Sequence, residues 1–324
     1  MKHVYDWYVK EGYLTARPCG GLTVYDYTSK TVHAGNWNHH TRAARGLVLD
    51  REGKVVARPW PKFFNLNERP ESRLDGLPRE DVELTEKLDG SLLIAFLNPE
   101  TGAWQACTRA AWDNPQCIAA NARLAGWAER LDPACTYLFE LVAPWNRVVI
   151  RYPDERLVLL GIVHTESGED WAPRRVRAWG LERGFDVLRV ETRPLAGIDL
   201  EDPEVVHREG YVARFADGFR VKLKYARYLH LHRILESPTP KIPDAFVRWV
   251  DEEDAARELR ARALEDRARD LFEAAPNLDG RQAYAAHFGQ FAPPLPEILL
   301  RMLDGRPYED LLRPSKAPRR PRPC

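Results

Sequence analysis

The stretch Thr85-Glu86-Lys87-Leu88-Asp89-Gly90-Ser91 constrains this chain more than any other. An apolar run, Leu92 to Leu97, follows at once and reads as a buried strand. Lys87 therefore sits on a turn or strand edge beside a rigid element. A lysine so placed can act as a nucleophile if its amine is partly deprotonated, which neighbouring cations or desolvation can achieve. Gly90 would let a nucleotide approach the backbone closely. On its own, K-x-D-G describes a surface lysine before an Asp-Gly turn equally well. The ordered stretches downstream weigh against that reading: Phe139-Glu140, then Glu209 to Val212, then Val221 to Lys224.

A chain of 324 residues suits one large domain and a smaller one. With 44% hydrophobic and 30% charged residues, it can bury a sizeable core and should be soluble. The formal net charge is zero, so any basic groove for nucleic acid must be local. Five scattered cysteines form no C-x-x-C pair, which argues against a zinc site or disulfide framework and for reduced thiols in the cytoplasm. No signal-like N-terminus or bilayer-length apolar run is present, so no membrane role is expected.

In chain order, Val4 to Glu11 suggests a short helix and Leu22 to Tyr27 an alternating strand. Asn36 to His40 reads as a loop, and the adjacent His39 and His40 do not suggest a metal site. Arg45 to Asp50 and Val55 to Arg58 form an expected hairpin, followed by the cation and aromatics of Lys62-Phe63-Phe64. Trp104 to Arg109 should be a strand ending on a cation, and Asn114 to Leu131 an amphipathic helix. Tyr137 to Val142 is a strand carrying Glu140 into an apolar setting, where an acid is costly unless paired. Ala172 to Arg183 reads as a helix. Lys222 and Lys224 share one strand face and repel unless an anion sits between them. From Tyr225 the chain looks helical. Pro238, Pro240 and Pro243 mark a linker. Helices are expected over Asp251–Ala274, Asp279–Phe288 and Pro296–Leu303, with a short turn from Pro307 to Leu312. A basic, proline-rich disordered tail covers 316–324.

The set Arg45-Gly46, Ala57-Arg58-Pro59, Lys62-Phe63-Phe64-Asn65-Leu66-Asn67-Glu68, Lys87-Leu88-Asp89-Gly90-Ser91, Phe139 to Ile150, Glu209 to Val212 and Lys222 to His232 resembles the T4-type phage RNA ligase 1 family. The likeness spans roughly residues 20 to 235. DNA ligases and capping enzymes would share the core motifs without the Lys62–Glu68 string.

The resemblance implies an α+β fold: an ATP-grasp-like nucleotidyltransferase domain of antiparallel sheets with flanking helices (1–235), a small all-α C-terminal domain (236–315), and the tail. It implies ATP with Mg2+, or Mn2+, as cofactors. Its partner would be RNA bearing 5′-phosphate and 3′-hydroxyl ends, with broken tRNA as one candidate, acted on by a monomer. Lys87 would take AMP from ATP. Lys222 and Lys224 would depress the Lys87 pKa and stabilise the α-phosphate. Glu140 would accept the ribose hydroxyl, Glu209 would hold the metal, and Arg45 and Lys62 would grip the β- and γ-phosphates. Tyr25, Phe64, Gly90 and Arg109 match further nucleotide-site positions, although Ala110 stands where the family has glycine after Arg109. The competing readings are a nick-sealing ligase on duplexes and an RNA-end-binding protein without turnover.

Overall fold

A computed structural model of the chain describes residues 1–205, 207–236, 264, 265, 267–273, 275, 278, 280–291 and 294–312. The expected Pro238–Pro243 linker, most of the Asp251–Ala274 helix and the tail lie outside these residues. By its internal contacts the chain divides into two compact units, Met1–Tyr228 and Leu229–Cys324.

In the first unit, strands β1 (Leu14–Cys19), β2 (Leu22–Tyr27), β3 (Arg45–Leu49) and β4 (Val55–Ala57) form an antiparallel sheet in sequence order. They are followed by β5 (Phe64–Asn65), β6 (Val82–Lys87), β7 (Ser91–Leu97), β8 (Trp104–Cys107) and β9 (Cys135–Val142). The set ends with β10 (Arg156–His164), β11 (Val190–Arg193), β12 (Gly210–Arg214) and β13 (Arg220–Lys224). A second sheet runs β10-β9-β7-β8, and a third runs β11-β6-β12-β13-β5. Among the described residues, every strand ladder is antiparallel except β5 with β13, and an isolated parallel bridge joins Leu159 to Val187.

Strand β7 explains the layering. Its side chains alternate between two cores. Leu93 and Ala95 pack with Cys117, Ala120 and Leu124 of the helix Pro115–Leu124 and with Val176 of the helix Pro173–Glu182. Ile94 and Phe96 pack the other way, against Val24, Val48 and Ala57 of the first sheet. The second sheet is therefore a middle layer covered on both faces, which is why β7, β9 and β10 read as nearly continuous apolar runs. Each such Leu, Ile or Phe contributes about 1.5–3 kcal/mol by leaving water. In β9, Glu140 is the one residue that is half-buried rather than fully buried.

Local chemistry adjusts some expected elements. The stretch read as a loop at Asn36–His40 contains the start of a helix, His39–Ala43. Asn38 caps it, its Oδ1 accepting from the backbone N–H of His40 at 3.0 Å and of Thr41 at 3.1 Å, while the Thr41 hydroxyl accepts from the Asn38 N–H. The helix expected over Asn114–Leu131 stops at Leu124 and tightens into a 3-10 segment, Ala125–Arg130. Gly126 within that segment disfavours continued α-helix. In the second unit, helices Arg281–Phe288, Leu295–Leu303 and Glu309–Leu312 surround a core that includes Phe288, Ile298 and Leu299. Among the described residues, no helix is long and apolar enough to cross a membrane.

Candidate active site

Three strands of the third sheet place the lysines. Gly210 of β12 lies opposite Lys87 of β6 on one side and opposite Lys224 of β13 on the other. Directly opposed residues in antiparallel strands face the same side, so Lys87 and Lys224 share a face. Lys222, two residues earlier on β13, shares it too. The centre of this row must be glycine: Gly210 has φ +149°, and a Cβ there would lie 1.8 Å from the Leu223 carbonyl oxygen.

Glu209 immediately precedes that glycine and is 2% exposed. One carboxylate oxygen accepts from Lys87 Nζ at 2.7 Å, and the other meets Lys224 Nζ at 2.8 Å. The anion between two lysines is thus supplied by the protein, and it sits between Lys87 and Lys224 rather than between Lys222 and Lys224. Among the described residues, Lys222 has no such partner. Burial pushes its pKa well below the ordinary lysine range, and Arg45, Lys62, Lys87 and Lys224 push it further down. Its ammonium lies 4.9 Å from the centre of the Phe63 ring. The lysine whose charge the site disfavours is therefore Lys222, whereas Lys87 is held in an ion pair.

Glu140 accepts the Gly90 backbone N–H at 3.1 Å. Burial raises its pKa to about 7; Glu209 adds to the rise, while Lys87 and Arg45 oppose it. Arg45, on β3, lies 5.7 Å from the Phe63 ring centre and, among the described residues, leaves one buried guanidinium nitrogen without a partner. Lys62 sits among Tyr27, Trp37 and Phe64, 5.2 to 5.6 Å from their ring centres. Burial lowers its pKa; Glu68 opposes this, and Arg45, Arg109 and Lys224 add to the lowering. Arg109 bonds Asp26 at 2.8 Å and the Tyr27 hydroxyl at 3.0 Å. Burial works against its charge, but these partners outweigh it and raise the pKa. Electrostatic coupling thus joins Lys62, Lys87, Arg45, Arg109, Glu140, Glu209, Lys222 and Lys224 into one site.

Two expected nucleotide-site positions, Tyr25 and Gly90, make packing contacts within the fold. Tyr25 is fully buried with Tyr5, Leu47 and Leu49, and its hydroxyl donates to Asp6 at 2.9 Å. It belongs to the packing under the first sheet. At Gly90 a Cβ would lie 2.3 Å from the Leu141 carbonyl oxygen, so a side chain is excluded there. The glycine lets the β6–β7 turn close against β9. Phe64 is 3% exposed and is a platform for cations.

Sequence reasoning gave no individual role to Asp26, Tyr27, Trp37, Phe63, Asp89 or Tyr228, although Asp89 and Phe63 stand in its motifs. Asp89 is a clamp: one oxygen accepts the backbone N–H groups of Val149 and Ile150, both at 2.6 Å, and the other accepts the Tyr228 hydroxyl at 2.7 Å. These bonds fix the turn that follows Lys87.

A family model described as RNA ligase matches residues 43–228. The chain belongs to this RNA ligase family. Among curated relatives, it is 29% identical over 204 residues to a protein of Thermovibrio ammonificans provisionally named an RNA ligase, with 59% of this chain and 53% of that protein covered. It is 25% identical over 281 residues to the RNA ligase of Rhodothermus phage RM378, covering 63% of each. The chain thus spans between about half and two thirds of the length of these relatives. An archaeal ATP-dependent RNA ligase structure has the same fold, with a TM-score of 0.55 at 15% identity, covering 95% of this chain and 96% of that one.

The donor set fits a divalent cation only as a shared ligand. Among the described residues, no group of three or more His, Cys, Asp or Glu could hold a metal. Glu209 and Glu140 are the carboxylates facing the lysine row, and both Glu209 oxygens are engaged by ammonium groups. Hard oxygen donors suit Mg2+ or Mn2+, which commonly take one or two carboxylates plus substrate phosphates. Glu209 would hold such an ion alongside nucleotide phosphates.

Proposed function

We propose that this RNA ligase family member is an ATP-dependent enzyme that joins 5′-phosphate and 3′-hydroxyl RNA ends. The observation that carries the reading is the convergence of Lys87, Lys222 and Lys224 on one sheet face, with Glu209 bridging two of them. In the first step, neutral Lys87 Nζ attacks the α-phosphorus of ATP, an N–P bond forms, and the bond to pyrophosphate breaks. In the second, a 5′-phosphate oxygen of RNA takes the AMP and the lysine leaves. In the third, a 3′-hydroxyl attacks the activated phosphorus, and AMP leaves as the phosphodiester forms. Each step spreads negative charge over phosphoryl oxygens, so positioned cations are the main catalytic means.

In this reading the Lys87–Glu209 pair opens before attack, and Lys87 gives up a proton. Lys222 and Lys224 stabilise the α-phosphate, while Arg45 and Lys62 orient the departing pyrophosphate. Glu140 takes a ribose hydroxyl. Arg109 supports the site through Asp26 and Tyr27. A divalent cation supplies charge neutralisation when bound. We place the adenylating unit at residues 1–235 and a helical accessory domain at 236–315, a division near the observed one after Tyr228. The enzyme is proposed to act as a cytoplasmic monomer, with broken tRNA the first natural substrate to test.

Incubation with ATP and Mg2+, followed by intact mass, tests the reading. The expected product is one AMP per chain, lost when a 5′-phosphorylated single-stranded RNA is added and circularises. The Lys87→Ala variant should form no adduct. Absence of AMP from wild-type protein first stripped with pyrophosphate would refute the proposal.

A further inference from the structure

Beyond the lysine row, the Phe64 ring gathers cations that the reaction above does not use. The Arg42 guanidinium lies 5.0 Å from the ring centre and that of Arg69 lies 5.4 Å from it, beside Lys62 at 5.2 Å. Among the described residues, the Nε atoms of Arg42 and Arg69 are both buried without a hydrogen-bond partner. Leaving such donors unmade costs stability, more so on charged groups. Like charges around one ring also repel.

Both arginines are held from outside the row. Arg42 belongs to the helix that Asn38 caps, and its carbonyl accepts the Lys62 N–H at 2.8 Å. Arg69 sits on a tight loop. There Asn67 adopts φ +63°, the Ser72 hydroxyl accepts the Arg69 N–H at 3.0 Å and donates to the Asn65 carbonyl at 2.8 Å, and the Asn67 side chain accepts the Leu74 N–H at 3.0 Å. A non-glycine residue in the left-handed region is held only when its surroundings fix it. The anion present is Glu71, which bonds Arg42. Its side chain is 36% exposed and that of Arg42 is 31% exposed, so an incoming anion can exchange with it.

We infer that Arg42 and Arg69, with Glu71 as an internal placeholder, form a second phosphate site outward of Lys62. This deepens the proposed function and rests on it for the source of the phosphate. The ligand is a phosphate group, either the terminal phosphate of ATP or a backbone phosphate of the RNA strand. Binding moves Glu71 off Arg42, and the phosphate takes the guanidinium donors that geometry favours for such oxygens. No covalent bond changes.

The test uses the full chain and inorganic tripolyphosphate as the probe, with affinity read by calorimetry. Arg42→Ala and Arg69→Ala should each weaken binding about tenfold, as expected for one lost charge-assisted contact. Glu71→Gln should strengthen it, an effect in the opposite sense that misfolding would not give. Two kinetic arms then name the source. If the arginine variants raise the KM for ATP in lysine adenylation but seal pre-adenylated RNA normally, the ligand is the nucleotide's terminal phosphate. If they impair sealing of pre-adenylated RNA at normal adenylation, it is an RNA phosphate. Unchanged tripolyphosphate affinity in both arginine variants, or weaker affinity in Glu71→Gln, overturns the inference. If wild-type protein never forms an AMP adduct, yet the probe's affinity follows the arginines, the site stands and the ligase proposal falls.

Discussion

Replacing Glu140 with Gln offers the most direct physical test of the site. The amide keeps an oxygen able to accept the Gly90 N–H that Glu140 now holds at 3.1 Å, but it removes a charge the fold disfavours. The carboxyl is carried from 4.5 to about 7, first by burial and then by Glu209. At about 1.4 kcal/mol per pH unit, that is a cost of about 3 kcal/mol to the folded state once the group is ionised. An acid with a raised folded pKa binds more protons folded than unfolded. Its contribution is therefore neutral below about pH 4.5, falls as pH rises, and reaches its full destabilising value above about pH 7. Glu140→Gln should thus match wild type near pH 4.5 and exceed it at pH 8. For a unit the size of Met1–Tyr228, about 3 kcal/mol corresponds to a Tm gain of about 6–12 °C. Scanning calorimetry of both proteins at pH 4.5, 6 and 8 reads the difference directly. A Tm gap that stays constant with pH, or a variant less stable at pH 8, would refute the reasoning.

Other outcomes follow from the same geometry. Lys222→Ala should slow AMP transfer to Lys87 by orders of magnitude in a quench-flow assay with labelled ATP; near-normal rates would reduce Lys222 to a buried structural charge. Gly90→Ala should lower stability by about 1–3 kcal/mol, because its methyl must displace the Leu141 carbonyl, and an unchanged Tm would contradict the close approach. Tyr25→Phe should cost about 1 kcal/mol through loss of the bond to Asp6 while AMP forms at the wild-type rate. A tenfold slower adenylation would return Tyr25 to the nucleotide site.

Most core strands were legible because alternation and apolar runs depend on neighbours in sequence, whereas β1, β6 and β11 carry no such run and were not expected. The hairpin of β3 and β4, the Glu140 strand and the shared face of Lys222 and Lys224 all follow from such local patterns. The His39–Ala43 helix was missed although its signal was present: Asn38 and Thr41 have the spacing of a reciprocal cap. Tyr25 shows a different limit. A family position says that a residue matters without saying how, and only Asp6 reveals this hydroxyl as a packing bond. The bridging of Lys87 and Lys224 by Glu209 needed the β6-β12-β13 register, which no local pattern encodes. Asp89 illustrates the limit best, because its partners at Val149, Ile150 and Tyr228 are distant in sequence.

That distance has a consequence for how the protein is made. Lys87 meets Glu209 across 122 positions, and Asp89 meets Tyr228 across 139. As the chain leaves the ribosome, β6 emerges long before β11 and β12, the strands that flank it. Until those strands follow, its polar backbone is an open edge, and Lys87 has neither its carboxylate nor its fixed turn. Ordering that edge must wait for contacts of high sequence separation, which form slowly and leave strands open to mispairing. A nascent chain halted before residue 209 therefore carries Lys87 without the means to position it, and the lysine row around Glu209 is assembled only when the first unit is nearly complete.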